Sequence, residues 1–256
     1  MTERDWAAAF NETFATAVSP VHVEVFRAAL GDEYPDGLDI HSYLSRTELS
    51  RFVDEVRVSD SDVLVDIGCG RGGPGLWVAA TTGARLIGID IADTALAEAR
   101  SRATALGMAD RAEFQIGSFE SLPLGSGIAD AVMSVDALLF TPDKAVAIVE
   151  LARVIRPGGR LVFTSWDYSR QPAGRPPQVA DHRTLLEAAG FAVLAYEETE
   201  DWRGRQTRVG DGLLAHVAEL AADKGVDVAE LRAEIEEMQA TIDAMVRRVL
   251  VVAERS

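Results

Sequence analysis

Five glycines fall within eight positions of VLVDIGCGRGGPGLW, Val63 to Trp77, immediately behind an apolar run that closes on Asp66. The run DVLVDIG is almost continuously apolar, the mark of a strand buried on both faces. Pro74 suits the first turn of a following helix, which should run to about Thr82. A strand, a glycine turn and a helix leave free backbone N–H groups at the helix start. Glycine permits positive φ there and lets a ligand approach the backbone closely.

The alternation continues downstream. RLIGID reads as a second strand, and Asp93 as the N-cap of a helix, TALAEARSRATALG, that stops at Gly107. AEFQIG and DAVMSV read as strands three and four. DKAVAIVELARVI is an amphipathic helix that Pro157-Gly158-Gly159 should end, and RLVFTSW is a fifth strand. A loop rich in Pro and Gly, SRQPAGRPPQ, precedes a helix in DHRTLLEAAG, a strand in FAVLAYEE and a closing strand in VLVVAER. Repeated β-α units predict one doubly wound α/β domain with a mainly parallel sheet.

Two segments break that rhythm. Residues 1–55 read as mostly helical, with breaks at Ser19-Pro20 and across Tyr34 to Asp39, and form an N-terminal cap. Residues 203–246 read as a helical insertion between the core segments 56–202 and 247–256. Within it, Asp227 and Glu230 are spaced as a capping box. Leu231, Ile235, Met238, Ile242 and Met245 then follow at steps of four and three, giving one apolar helical face. That face packs on its own domain, closes over substrate as a lid, or forms a dimer surface. It is too short for a free coiled coil.

Charge and composition narrow the partners. The formal charge is −16 over 256 residues, with no basic stripe, so nucleic acid is not an expected partner. No apolar run reaches the roughly 18 residues of a membrane helix, and the first residues lack a signal-peptide core. The expectation is a cytoplasmic monomer or homodimer. Cys69 is the one cysteine, so no disulfide framework exists. It reads as a small residue fitting a tight turn, because no partner base accompanies it. All but Lys144 and Lys224 of the 25 basic residues are arginine, a GC-rich, bacterial style.

The spacing Gly68-x-Gly70-x-x-Gly73, with Asp90 at the end of the second strand, satisfies a dinucleotide fingerprint. Asp66 argues against that reading. A carboxylate two residues before the first glycine would repel a pyrophosphate and suits a ligand that carries an ammonium group.

Taken together and in order, DIGCGRGG, GIDI, PGGRLVFTSW and VLVVAER resemble the class I S-adenosylmethionine (SAM) dependent methyltransferases, over about Asp62 to Trp166 plus the last strand. The resemblance implies a Rossmann-like sheet of seven strands, the last antiparallel. It also implies that Asp66, Gly68, Gly70 and Gly72 border the methionine end of SAM. Asp90 would hold the ribose diol and Ile91 would lie against adenine. Where relatives often carry an acid reading the adenine amino group, this chain has Ser118-Phe119. Ser134 is a further cofactor-side candidate. The product would be S-adenosylhomocysteine (SAH).

Methyl transfer is an in-line displacement that gains most from proximity, with a base needed only where the acceptor must lose a proton. No cluster of hard metal ligands is evident, so no metal is expected. In SVDALLFTPD the His that many small-molecule relatives carry near Leu139 and Phe140 is absent. Asp136 is the nearest candidate base, or else a structural or cofactor-side hydrogen-bond partner, and Phe140 is either an apolar substrate wall or a core residue. In DIHSYLS, Tyr43 is expected to contact SAM and His41 to lie near the acceptor. Trp166 and Tyr168 are candidate pocket residues, with a core role equally open for Trp166, whereas His22, His182 and His216 have no motif support.

The favoured activity is methylation of a small, largely apolar acceptor, in the style of natural-product tailoring in bacterial secondary metabolism. Three readings stay open beside it. One is a methyltransferase-like cyclase or pericyclic enzyme that keeps SAM as structure. Another is a non-catalytic SAM-binding dimer using the 228–246 face, and the last is an NAD(P) enzyme.

Overall fold

The structure, a computed structural model, describes residues 5–39 and 41–256. The first four residues of the expected N-terminal cap therefore lie outside the described residues. Strands β1 (Val63–Ile67), β2 (Arg85–Asp90), β3 (Ala112–Ile116), β4 (Ala129–Val135), β5 (Ile155–Tyr168), β6 (Phe191–Glu198) and β7 (Met245–Arg255) form one sheet in the order β3-β2-β1-β4-β5-β7-β6. Strands β1 to β5 run parallel, and β7 is antiparallel to both β5 and β6. The fold is thus the expected doubly wound, seven-stranded sheet with its last strand reversed. β7 slots between β5 and β6 and pairs along both edges, which buries Val249 to Ala253.

Apolar side chains alternate between the two faces of the sheet, and each face has its own helices. α3 (Arg46–Val56), α4 (Gly73–Thr82) and α5 (Asp93–Ala105) bury Phe52, Leu76 and Leu96 against Leu64, Leu86 and Val162. On the opposite face α6 (Lys144–Val154) and α7 (Arg183–Ala188) bury Ile148, Leu151 and Leu186 against Val65, Ile67 and Phe163. α3, inside the segment read as cap, therefore packs on the sheet.

A separate apolar layer joins α2 (Pro20–Leu30) to α8 (Trp202–Ala215), α9 (Val217–Lys224) and α10 (Val228–Thr241). Leu231 and Ile235 of α10 are buried in it, at 7% and 6% exposure. The α10 face is therefore consumed within the chain, and the dimer-surface reading of it is corrected. The face also ends sooner than its spacing suggests: Ile242 sits in a 3-10 turn and Met245 opens β7.

Three local expectations change. α5 has Ala92 at its N-cap, and Asp93 falls in the first turn, where an acid still complements the helix dipole. α6 ends at Val154 and passes straight into β5, so Pro157-Gly158-Gly159 does not end it. Ile155 pairs with Ala129 and pairing resumes at Arg160 with Ala131. The Pro-Gly-Gly run occupies the intervening irregularity, where a residue without an N–H is tolerated. Asp227 does cap α10, accepting from the Ala229 and Glu230 amides. A reciprocal capping box forms between Ser45 and Glu48 at the start of α3.

Candidate active site

The strand order reverses direction between β1 and β4, and ligands bind open α/β sheets in the crevice at such a point. A cavity of about 750 Å³ opens there, above the carboxyl ends of β1, β2 and β4. Asp66, Gly68, Gly70, Asp90, Ile91, Ser118, Phe119, Asp136, His41 and Phe140, all expected at the site, line it.

Tight packing explains the glycines. Gly68 has φ +70, and a Cβ on it would lie 2.3 Å from the Ala137 Cβ. Gly75 lets α4 pass close to Asp66, since a Cβ there would lie 2.4 Å from its Oδ2. Gly72 also has positive φ, but it caps α4 and lies outside the cavity lining, so its role is in the turn.

Two buried carboxylates face this cavity with no ion-pair partner among the described residues. Asp66 is 2% exposed, and its pKa is pushed up to about 7 by burial and then by Asp90, against a backbone hydrogen bond from Gly75. Asp90 accepts from the Gly70 amide (2.8 Å) and the Ala92 amide (2.9 Å), and burial raises its pKa too. Each Asp90 oxygen keeps a lone pair for a hydroxyl donor. An ammonium group beside Asp66 would supply the charge that this buried carboxylate lacks, so the donor set fits the amino-acid tail and ribose of SAM. Cys69, expected as a small turn residue, is buried, and its thiol is pushed well above the usual range. It is not a poised thiolate.

The structure moves four expected site residues away from the cavity. Ser134 is buried and donates to the Ile67 carbonyl (2.8 Å), holding β4 to β1 from within the sheet. Trp166 donates to Gln206 (3.2 Å) and packs edge-on against Tyr43. Tyr168 is buried beside Leu139 and Met245. Tyr43 turns its ring toward Phe26 and Trp166, and only its neighbours His41 and Ser42 reach the cavity. Trp166 and Tyr168, at the carboxyl end of β5, pack into a small apolar cluster with Leu139, Trp202, Ala244 and Met245, and Tyr43 packs against it.

Asp136 lines the cavity, yet its carboxylate is engaged. Arg248 donates to both oxygens (3.0 and 3.1 Å), and Thr164 Oγ1 and the Tyr43 amide donate as well. A carboxylate held by a bidentate arginine and two further donors serves as an anchor, which corrects the expectation of a base. His41 opens onto the cavity, its ring parallel to His22 at 5.4 Å and edge-on to Phe14 at 5.7 Å. Although its ring is open to the cavity, desolvation by the surrounding protein, then Lys224 and Arg71, lower its pKa to about 4, so it is neutral at pH 7.

Several lining residues had not been singled out from sequence. α1 (Trp6–Phe14) sends Trp6, Phe10 and Phe14 into the cavity. Phe140 completes the wall at 4.8 Å from Trp6 and 4.9 Å from Phe10. Their spacing of four residues on one helix was the available signal. Arg175 from the Pro/Gly loop lies over both Phe140 (5.0 Å) and Trp6 (5.6 Å). Glu237 from α10 and Glu120, two residues beyond Ser118, also line the cavity.

This geometry matches a known domain. Residues 65–163 match the family model described as a methyltransferase domain. The likeness to that domain family lies in residues 65–163, the stretch from β1 into β5. Among curated relatives it is 31% identical over 129 residues to methyltransferase GfsG of Streptomyces halstedii, covering 50% of this chain and 46% of that one. It is 34% identical over 149 residues to 27-O-demethylrifamycin SV methyltransferase of Amycolatopsis mediterranei, covering 58% and 53%. The chain thus spans about half the length of the curated relatives it matches. Among solved structures the [4+2]-cyclase SpnF superposes with a TM-score of 0.72 at 24% identity, over 92% of each chain. At that identity the likeness concerns the fold. The class I methyltransferases that the sequence resembles use SAM as their cofactor. No helix of the described residues is long and apolar enough to cross a membrane, and no group of three or more metal-binding side chains occurs among them.

Proposed function

We propose that the chain transfers a methyl group from SAM to a small, largely apolar acceptor lodged against the α1 aromatic wall. One observation carries this reading: a single cavity joins the two unpaired carboxylates of the glycine loop region to Trp6, Phe10, Phe14 and Phe140. When bound, SAM supplies an electrophilic methyl on a sulfonium. Asp66 binds its ammonium group and Asp90 its ribose diol, with Ile91, Phe119 and Ser118 around the adenine. Glu120 is the nearby acid that Ser118 does not supply. The aromatic wall desolvates and aligns the acceptor, the main source of rate for a displacement of this kind. His41, neutral at pH 7, takes the proton of a hydroxyl acceptor. Acids outnumber cations around the cavity, which disfavours an anionic acceptor.

Relatives from Streptomyces and Amycolatopsis support a place in natural-product tailoring. The test is incubation with methyl-labelled SAM and a panel of apolar hydroxylated acceptors. Label should appear in product with stoichiometric SAH. Conversion of an acceptor without label transfer overturns the reading in favour of a rearrangement.

A further inference from the structure

Four charged side chains from four distant parts of the chain meet beneath one wall of the cavity. Arg248 of β7 is 0% exposed. It pairs with Asp136 through both carboxylate oxygens and with Glu48 of α3 at 2.8 Å. Arg205 of α8 holds the other Glu48 oxygen at 2.6 Å. Two acids and two arginines leave the cluster neutral. Burial alone would push the Glu48 carboxyl up, but Arg248 and Arg205 outweigh it and hold it low.

What this cluster grips is backbone. The Tyr43 amide donates to Asp136 (3.0 Å), and its carbonyl accepts from Arg205 (3.1 Å). Both polar groups of Tyr43 are thus held by the cluster, and the two residues before it, His41 and Ser42, line the cavity. The same Asp136 adopts φ +52, uncommon for a residue with a side chain. Arg248 and Thr164 hold it there, and the next residue, Ala137, fills the space beside Gly68 where a side chain would otherwise stand. The cluster therefore shapes two cavity walls at once. Through α8 it also ties them to the helical insertion, whose Glu237 reaches the cavity.

We propose that Arg205 is a positioning residue. Its guanidinium, fixed by Glu48 and the Glu200 carbonyl, holds Tyr43 so that His41 and Ser42 face bound cofactor and acceptor. This inference rests on the cavity being the SAM pocket. Lysine in its place would keep the charge opposite Glu48 but lose the fork that reaches the Tyr43 carbonyl as well.

The test compares wild type, Arg205→Met and Arg205→Lys by SAH calorimetry, amide hydrogen exchange and thermal melting. In Arg205→Lys the melting temperature should stay near wild type. Exchange at residues 43–45 should still rise, and SAH affinity should fall on the order of tenfold, the scale of one hydrogen bond from a charged donor. In Arg205→Met the same local changes should be larger, with β1 and β4 still protected. The proposal is overturned if both variants bind SAH within twofold of wild type with 43–45 protected. It is also overturned if protection falls uniformly across the sheet, the mark of a purely structural residue. A wild-type protein that does not bind SAH sinks the cofactor reading instead, and the exchange comparison still decides the role of Arg205.

Discussion

Taking a carboxylate out of water destabilises a fold unless a cation or a proton accompanies it, and Asp66 has only the proton. Its folded pKa of about 7 stands above the ordinary 3.8. Between those values the folded protein holds a proton that the unfolded chain has released. The stability from this group is therefore present at low pH and is lost as pH rises through about 7. Asp66→Asn should melt higher than wild type without ligand at pH 8, by at least about 2 °C. The same variant should bind SAH about 10- to 100-fold more weakly, as for a lost charged hydrogen bond. Wild-type SAH affinity should climb by up to about tenfold per pH unit below pH 7 and flatten above it. Asp66→Asn should show no such slope, and calorimetry across pH 5.5–8 checks both curves. His41→Gln should lower kcat by about 10²-fold or more for a hydroxyl acceptor, while SAH affinity holds within a few-fold. An equal loss of SAH affinity would place His41 on the cofactor instead.

At the level of elements, the strand–glycine–helix unit was the most legible part of the sequence. Its constraints are local: apolar continuity in β1, positive φ at Gly68 and the start of α4 all lie within a few residues. Gly68→Ala should cost about 2–4 kcal/mol, from left-handed backbone and from collision with Ala137. Pairing it with Ala137→Gly should restore about half, because only the collision is relieved. Denaturant melts of the two variants check this. Less legible was anything set by distant partners. Asp136 could be read as a base or as a structural acid, and nothing nearby in sequence announces Arg248, over a hundred residues on, as its partner. Tyr43, Trp166 and Tyr168 looked like cavity aromatics for a similar reason. Which apolar layer an aromatic enters depends on the insertion, not on its neighbours in the chain. The true aromatic wall was written locally, as Trp6, Phe10 and Phe14 on one face of α1.

Across the whole molecule, the two sheet faces and the cap layer are separate apolar cores, and the cavity lies where cap meets sheet. The cap layer is internal, so its disruption should lower stability without altering assembly. Ile235→Ala should cost about 2–5 kcal/mol, with a melting temperature that does not depend on protein concentration. A concentration-dependent Tm would restore α10 as a contact between chains. The function proposed for this cavity depends above all on the buried carboxylates Asp66 and Asp90, which would make it a SAM pocket. Calorimetry of wild type, Asp66→Asn and Asp90→Ala with SAH and with NADH decides it. SAH should bind wild type one to one and weaken strongly in both variants, with no binding of NADH. SAH affinity unchanged in the variants, or NADH bound in its place, would rule out a SAM pocket built on these two carboxylates.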